Sequence, residues 1–197
     1  DMGIKMGTPP KQTAADETLT VQNAAFNGVN FNVSSEESSS DGIAFNDTGT
    51  RMFIVGRGTD TIYQYDLGTP FDIATASFSF KSFDVGSEDG SPVGVTFNNT
   101  GTRMFVIGRN TAEVYQYNLS TPYDIATASF STKSFDVTLQ EPGTQGVTFN
   151  STGTRMFVIG NTSRRVYQYS LNPGFDITTA SFSGNSIDIA SEEGDPL

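Results

Sequence analysis

The sequence predicts an all-β protein assembled from repeated four-stranded units. The first reason is a strict repeat, in which Gly42, Gly94 and Gly146 open near-identical phrases 52 residues apart. The second reason is composition, because Phe, Tyr, Val, Ile and Thr are abundant and favour strands over helices. The third is the regular placement of Asn, Gly and Pro turn signals between short apolar runs. Each repeat is therefore expected to contain about four strands joined by turns.

The second repeat shows each predicted strand in order. A short first strand, Gly94–Phe97, is followed by the turn NNTGT. The next strand, Arg103–Gly108, has four consecutive apolar residues, which predicts burial on both faces. In the third strand, Glu113–Leu119, alternation places both tyrosines on one face. A proline turn then leads to Ser129–Val137, whose scattered polar residues are typical of an exposed edge strand.

The repeat also defines the predicted organisation of the chain. Three complete units are expected at residues 42–85, 94–137 and 146–189, within a repeat region at 26–197. A leading strand at 26–33 (FNGVNFNV) matches the fourth strand of each unit. Residues 1–25 lie outside the main repeat and are interpreted as an N-terminal arm or linker. Four antiparallel strands in about 50 residues, with the second strand buried on both sides, predict a blade of a β-propeller.

The repeated phrase also resembles a known group of sequences. The motif GxxFNxTGTRMFVIG followed by VYQYxLSTPYDIATASF is similar to propeller repeats of phage structural proteins and environmental bacterial surface proteins, and loosely to YVTN-type propellers. This resemblance covers Phe26 to Leu197 and implies the fold. It implies no activity, because propellers host many unrelated functions.

The number of blades predicts partners. Propeller rings typically have four to eight blades, so three complete blades and one leading strand would leave two apolar faces open. We expect additional blades from a longer polypeptide to cover these faces, because the last residues repeat the start of another unit. The alternative is identical subunits that complete one another in a closed ring or a filament.

Composition and charge exclude several classes of function. The chain of 197 residues has a formal net charge of -11, which would repel nucleic acid and anionic membrane surfaces. It contains no Cys and no His, which removes thiolate chemistry, the commonest general base and the commonest zinc ligand. No stretch of 18 consecutive apolar residues is present, so we expect no membrane insertion. No cofactor is expected from these features.

Repeated asparagines provide one set of candidate sites. Six of them begin N-x-S/T sequons and are candidate N-glycosylation sites: Asn32, Asn46, Asn98, Asn118, Asn150 and Asn161. The competing interpretation is that the asparagine of NxTGT caps its turn while the glycine adopts a positive φ. We favour this structural role, with glycans as an alternative.

Acidic loops between successive units provide a second set. Their oxygen-rich composition is compatible with calcium, although none has the spacing of a known calcium loop, and solvated loops are the simpler interpretation. Because these loops vary most between repeats, they are our first choice for a ligand-binding face. The candidate residues are Glu36, Asp41, Glu88, Asp89, Glu141, Glu192 and Glu193.

Other charged and aromatic residues recur in every repeat and are interpreted as structural, because a catalytic group rarely needs threefold display. They include an arginine before each second strand, aspartates in the turns and the tyrosine pairs of each third strand. Departures from the repeat are few, with Glu113, Arg164 and Arg165 as the examples.

The sequence-based hypothesis for function is therefore a non-catalytic, non-enzymatic module. It would be a structural or adhesive propeller of an extracellular appendage, cell-surface protein, filament or virion tail. The alternative is a carbohydrate-binding or sugar-processing propeller whose site needs blades outside this chain. Asymmetric acidic residues on the inner strands of additional blades would favour the enzyme, whereas continued near-identical repeats would favour the scaffold.

Overall fold

A computed structural model describes residues 26–190, and it confirms the all-β prediction. Three four-stranded antiparallel sheets follow one another along the chain, each with its strands in sequence order from one edge to the other. We number the strands β1 to β12 and the sheets as the first, second and third blades. The strands are β1 (Ser40–Phe45), β2 (Arg51–Gly56), β3 (Thr61–Leu67), β4 (Ala76–Asp84), β5 (Pro92–Phe97), β6 (Arg103–Gly108), β7 (Glu113–Leu119), β8 (Ala128–Asp136), β9 (Thr144–Phe149), β10 (Arg155–Gly160), β11 (Arg165–Ser170) and β12 (Ser181–Asp188).

The NxTGT phrase forms the turn between the first and second strands of a blade. In the second blade, the amide N–H of Arg103 donates to Asn98 Oδ1 at 2.9 Å. The Asn98 Nδ2 group donates to the hydroxyls of Thr100 and Thr102 at 2.9 and 3.1 Å. Gly101 has φ +67°, a conformation that favours glycine. The asparagine thus closes the turn, which explains why the phrase is repeated.

The second blade buries its second strand between the first and third blades. Phe53 and Val55 of β2 pack in one apolar cluster with Met104 and Val106 of β6. The next residues along β6, which point to the other side of the sheet, pack against the third blade in a second cluster. We call the side of a blade that contacts the following blade its forward face and the opposite side its backward face. Continuous apolar runs in the second strands follow from this two-sided burial.

The first strands of successive blades approach one another most closely at glycine. A Cβ atom on Gly42 would lie 2.8 Å from the carbonyl oxygen of Val93, and one on Gly94 would lie 3.3 Å from the Cα of Gly146. The repeated glycine is therefore required where the blades converge, because a larger residue would push the first strands apart.

The leading strand at residues 26–33 is a prediction that the structure corrects. This segment is not a strand, because no neighbouring strand within the described residues forms a hydrogen-bonded ladder with it. It nevertheless occupies the place of a fourth strand from a preceding blade. Phe31 contacts Tyr65 edge-on with ring centroids 5.4 Å apart, as Phe83 contacts Tyr117 at 5.4 Å. Gly28 has φ +84°, close to the +82° of Gly184 in β12.

Two further features of the chain bear on the sequence-based predictions. The predicted arm at residues 1–25 lies outside the described residues, as do residues 191–197. Within the part of the chain that the structure describes, no helix is long and apolar enough to span a membrane.

Candidate functional site

Loops of two kinds meet at one end of the blades, which we call the upper end. They are the connections from the fourth strand of one blade to the first strand of the next, and the hairpins between second and third strands. The acidic residues selected from the sequence lie in the first kind of loop. The upper end is therefore where the predicted ligand face is placed.

Two of the predicted ligand-face residues, Asp89 and Glu141, are buried and hold adjacent loops together. Asp89 is only 3% exposed and accepts hydrogen bonds from the Ser91 N–H at 2.7 Å and from the Thr111 N–H at 2.8 Å. Glu141 is fully buried and accepts from the N–H of Gly143 at 2.9 Å and from the Ser163 N–H and hydroxyl. These carboxylates bind backbone donors of their own fold.

Sequence reasoning missed the first member of this series, Glu37. It is 2% exposed and accepts from the Gly58 N–H at 2.9 Å and from the Thr59 hydroxyl at 2.8 Å. Its 52-residue spacing from Asp89 and Glu141 was the available signal. One buried carboxylate per junction therefore has a structural role.

The remaining predicted acidic residues have nearby partners or lie outside the described residues. Glu36 accepts from the Tyr65 hydroxyl at 3.2 Å, and Glu88 accepts from the Tyr117 hydroxyl at 3.0 Å. Burial and the adjacent Glu88 raise the pKa of Tyr117 well above its ordinary value, so this tyrosine is a neutral donor. Asp41 forms an ion pair with Arg57 at 2.8 Å. Glu192 and Glu193 fall in the region that is not described.

No calcium-type site is formed by the residues at 26–190, where no group of three or more Asp, Glu, His or Cys side chains could hold a metal ion. Calcium binding stays a prediction without structural support from this part of the chain.

The asparagine sequons fall into two groups. Asn46, Asn98 and Asn150 each donate through Nδ2 to two threonine hydroxyls of their own turn. The other three, Asn32, Asn118 and Asn161, are exposed. Since glycosylation uses the Asn side-chain nitrogen, the exposed group contains the better candidates.

An asymmetric feature between the first and second blades was also missed by sequence reasoning. We call this boundary the first junction, the boundary between the second and third blades the second junction, and the open forward face of the third blade the third junction. Asp60 lies in the hairpin between β2 and β3, with φ +53°, and its Oδ1 atom is buried without a hydrogen-bond partner in the described chain. Burial, followed by the negative charges of Asp84, Asp89 and Glu37, raises the pKa of Asp60 above its usual value. A half-buried carboxylate with a raised pKa is a candidate general base or acid.

Two glycines lie next to Asp60. A Cβ atom on Gly86 would lie 3.7 Å from Asp60 Oδ2, and one on Gly90 would lie 3.8 Å from the same atom. The equivalent of Asp60 is Ala112 in the second blade and Arg164 in the third, and both keep φ +53°. The combination of an aspartate with two adjacent glycines is therefore specific to the first junction. The signal was a change of residue type within an otherwise strict repeat.

The charged departures noted in the sequence are also at the upper end. Arg165 pairs with Asp188 at 2.9 Å, while Glu113 begins β7 opposite Asp136. Acidic residues outnumber basic residues among the upper loops. The upper end therefore has a negative potential that disfavours anionic ligands.

Other recurring charges connect the blades, which the sequence reasoning did not predict. Lys81 of β4 pairs with Asp124 of the second blade at 2.6 Å, and Lys133 of β8 pairs with Asp176 of the third at 2.9 Å. Arg51 donates to the carbonyl oxygen of Tyr123 at 2.9 Å. These contacts link consecutive blades.

Comparisons with known proteins agree on the fold. No family model and no curated protein matches the chain. A solved structure from Bacteroides uniformis, described as "a putative 6-phosphogluconolactonase", aligns with a TM-score of 0.54 and 14% identity over 74% of this chain and 40% of that chain. A second, from Bacteroides fragilis and described in the same words, gives 0.53 and 10% identity over 74% and 38%. The β-propeller domain of Cps50 (Swd1) from Myceliophteria thermophila gives 0.49 and 11% over 76% and 43%. The chain thus spans about 40% of the length of these structures.

These matches establish propeller-like repeats, and they correct two functional predictions. The hypothesis of a non-catalytic structural or adhesive module is wrong, as is its statement that the protein is no enzyme. The structures with TM-scores of 0.54 and 0.53 are each described as a putative 6-phosphogluconolactonase, at 14% and 10% identity. The scaffold interpretation relied on the repeat and on the departures at Glu113, Arg164 and Arg165, and it did not consider Asp60.

Proposed function

We propose that the chain forms three blades of a sugar-processing β-propeller that hydrolyses a sugar lactone at its upper end. The observation that carries this proposal is the asymmetric carboxylate Asp60, whose buried Oδ1 atom has no hydrogen-bond partner in the described chain and which lies next to Gly86 and Gly90. The propeller fold shared with two structures that are each described as a putative 6-phosphogluconolactonase supports the reaction class. Further blades outside this chain would complete the ring and enclose the site.

In this proposal, Asp60 is the general base. Its carboxylate removes a proton from a water molecule, whose oxygen attacks the lactone carbonyl carbon. The ring C–O bond of the lactone then breaks, and the proton passes to the leaving alkoxide, which gives a hydroxy acid. The raised pKa of Asp60 makes it a stronger base than an ordinary aspartate. This role fits a chain without histidine.

The charge of the upper end indicates whether the substrate lactone is phosphorylated. Acidic residues predominate there, so a phosphorylated sugar would meet like charges. We therefore propose an uncharged sugar lactone as substrate.

Binding to the chain can be tested by NMR titration with glucono-1,5-lactone and its 6-phosphate. With glucono-1,5-lactone we expect chemical-shift changes confined to the loops around Asp60, Gly86 and Gly90. With the 6-phosphate these changes should be weaker or absent. The matched variant Asp60→Asn should lose the pH dependence of these changes. An absence of shifts with either compound, or tighter binding of the phosphorylated one, would overturn the proposal.

A further inference from the structure

The forward face of the third blade is an apolar surface with the same composition as two buried interfaces. Phe53 and Phe105 are fully buried on the forward faces of the first and second blades, whereas the equivalent Phe157 is partly exposed. Ile159 and Val166 are also only partly buried, and they line an open depression of about 340 Å³ together with Phe157. The third blade therefore presents an uncovered copy of an interface that the chain forms twice.

Polar groups on this face are also left without the partners that their equivalents have. Arg51 and Arg103 donate across the junction to carbonyl oxygens of the following blade, at 2.9 and 2.8 Å for the Tyr123 and Phe175 oxygens. Arg155 instead donates to Thr154 and Ser170 of its own blade. A following blade would therefore offer Arg155 a carbonyl oxygen like those that accept from Arg51 and Arg103.

We propose that the forward face of the third blade is the docking surface for a further blade of this same repeat. Because the chain forms this interface twice, the two existing interfaces indicate which residues the backward face of the incoming blade should have. That face should carry a Met-x-Val pair in its second strand, as Met104 and Val106 do, and a buried tyrosine equivalent to Tyr117. Its turn after the third strand would offer a carbonyl oxygen to Arg155.

One position distinguishes this junction from the other two. The lysine that forms an inter-blade ion pair in the first two blades, Lys81 or Lys133, is replaced by Asn185 in β12. The third junction therefore has no lysine for an aspartate of the incoming blade. An amide can still donate one hydrogen bond, so Asn185 should contribute less to docking than a lysine would.

A second copy of this chain cannot fill the surface in the same way. Docking it would place Ile187 of β12 against Tyr65 of the second copy, as Phe83 lies against Tyr117 between the first and second blades. That place on Tyr65 is already occupied by Phe31 of the leading segment. The incoming blade must therefore lack a preceding segment of its own, which excludes simple head-to-tail stacking of identical chains.

The absence of cysteine makes thiol labelling a direct test, because one introduced thiol is the only one. Val166→Cys reports on the open face, and the equivalent Val114→Cys, at a position 0% exposed, is the matched control. We expect a maleimide to label Val166→Cys roughly 100-fold faster than Val114→Cys, since labelling of a buried site requires local opening. Inserting a copy of residues 139–190 after residue 190 should slow labelling of Val166→Cys to the control rate.

Two further variants keep the test decisive. A thiol at the inserted copy's counterpart of Val158 should be protected, which verifies that the copy folds against the open face. Asn185→Lys in the extended chain should strengthen that protection by restoring the inter-blade pair. Unchanged fast labelling of Val166→Cys while the inserted thiol is protected would overturn the proposal. Protection of Val166→Cys in the unextended chain at rising protein concentration would show that a second copy fills the face, which would also overturn it.

Discussion

The buried carboxylate Asp89 provides the sharpest test of whether the acidic loops serve the fold or a ligand. It accepts hydrogen bonds from the N–H groups of Ser91 and Thr111 at 2.7 and 2.8 Å and from the Thr111 hydroxyl at 2.7 Å. Asp89→Ala removes all three and leaves donors without partners in a site that is 3% exposed. We therefore expect a marked loss of stability.

The magnitude follows from the number and type of bonds lost. A hydrogen bond to a charged group contributes about 1.5–3 kcal/mol, and breaking a buried charged network costs about 3–5 kcal/mol. Asp89→Ala should therefore lower the free energy of unfolding by about 3–5 kcal/mol. Asp66→Ala is the control, because the Asp66 side chain is 57% exposed and lies 3.9 Å from Arg51, so its loss should stay below about 1 kcal/mol.

Urea unfolding followed by far-ultraviolet circular dichroism, with linear extrapolation, measures both values. A loss below about 1 kcal/mol for Asp89→Ala would refute the reasoning, because a surface residue would behave that way. If Asp89 were instead a ligand residue, its replacement would weaken binding with little effect on unfolding.

Four further predictions concern close packing, backbone strain and ionisation. In urea unfolding, Gly42→Ala should reduce the free energy of unfolding by about 1–3 kcal/mol more than Gly146→Ala. The reason is that a Cβ atom at position 42 would lie 2.8 Å from the carbonyl oxygen of Val93, whereas the atom nearest to a Cβ at position 146 is 3.2 Å away. Phe80→Gly should raise the thermal midpoint, since Phe80 is 89% exposed with φ +58°, and Gly184→Ala should lower it because its φ is +82°. Asp60→Asn should raise stability at pH 7, because the ionised form of Asp60 is disfavoured in the fold, and this gain should vanish as pH falls through the raised pKa of Asp60. Asp176→Asn should lower stability at pH 7, because Thr178 and Lys133 lower the pKa of Asp176, and this loss should fade below pH 3.8. Burial raises the pKa of Tyr123 to about 12, so the folded state holds this proton more tightly than the unfolded state, and stability should fall as pH rises above 10, with Tyr123→Phe reducing that fall.

Much of the fold was predictable because it depends on short-range patterns. The limits of β6 and β7 coincide with the predicted strands 103–108 and 113–119. The first strand was predicted too short, since β5 begins at Pro92 and contains a bulge between Pro92 and Gly94. The strand predicted at 26–33 failed because a strand is defined by its neighbour, and the sequence of one segment contains no information about a missing neighbour.

The candidate site was less predictable, because its properties arise from residues that are distant in sequence. Asp89 and Glu141 looked like exposed ligand-face residues in an acidic loop, yet hairpins 22 residues away bury them. Asp60 has ordinary turn residues as its sequence neighbours, and only the fold places Asp84, Gly86 and Gly90 beside it. The predicted extracellular, cell-surface or virion location stays a prediction, as do glycans on the exposed sequons.

The rate of hydrolysis of glucono-1,5-lactone by the protein, measured beside Asp60→Asn, tests the proposed function most directly. We expect a rate above spontaneous hydrolysis at neutral pH, which falls as pH drops through the raised pKa of Asp60 because the base becomes protonated. Asp60→Asn should remain folded and lose this acceleration. A wild-type rate equal to spontaneous hydrolysis, or full activity in Asp60→Asn, would contradict the assignment.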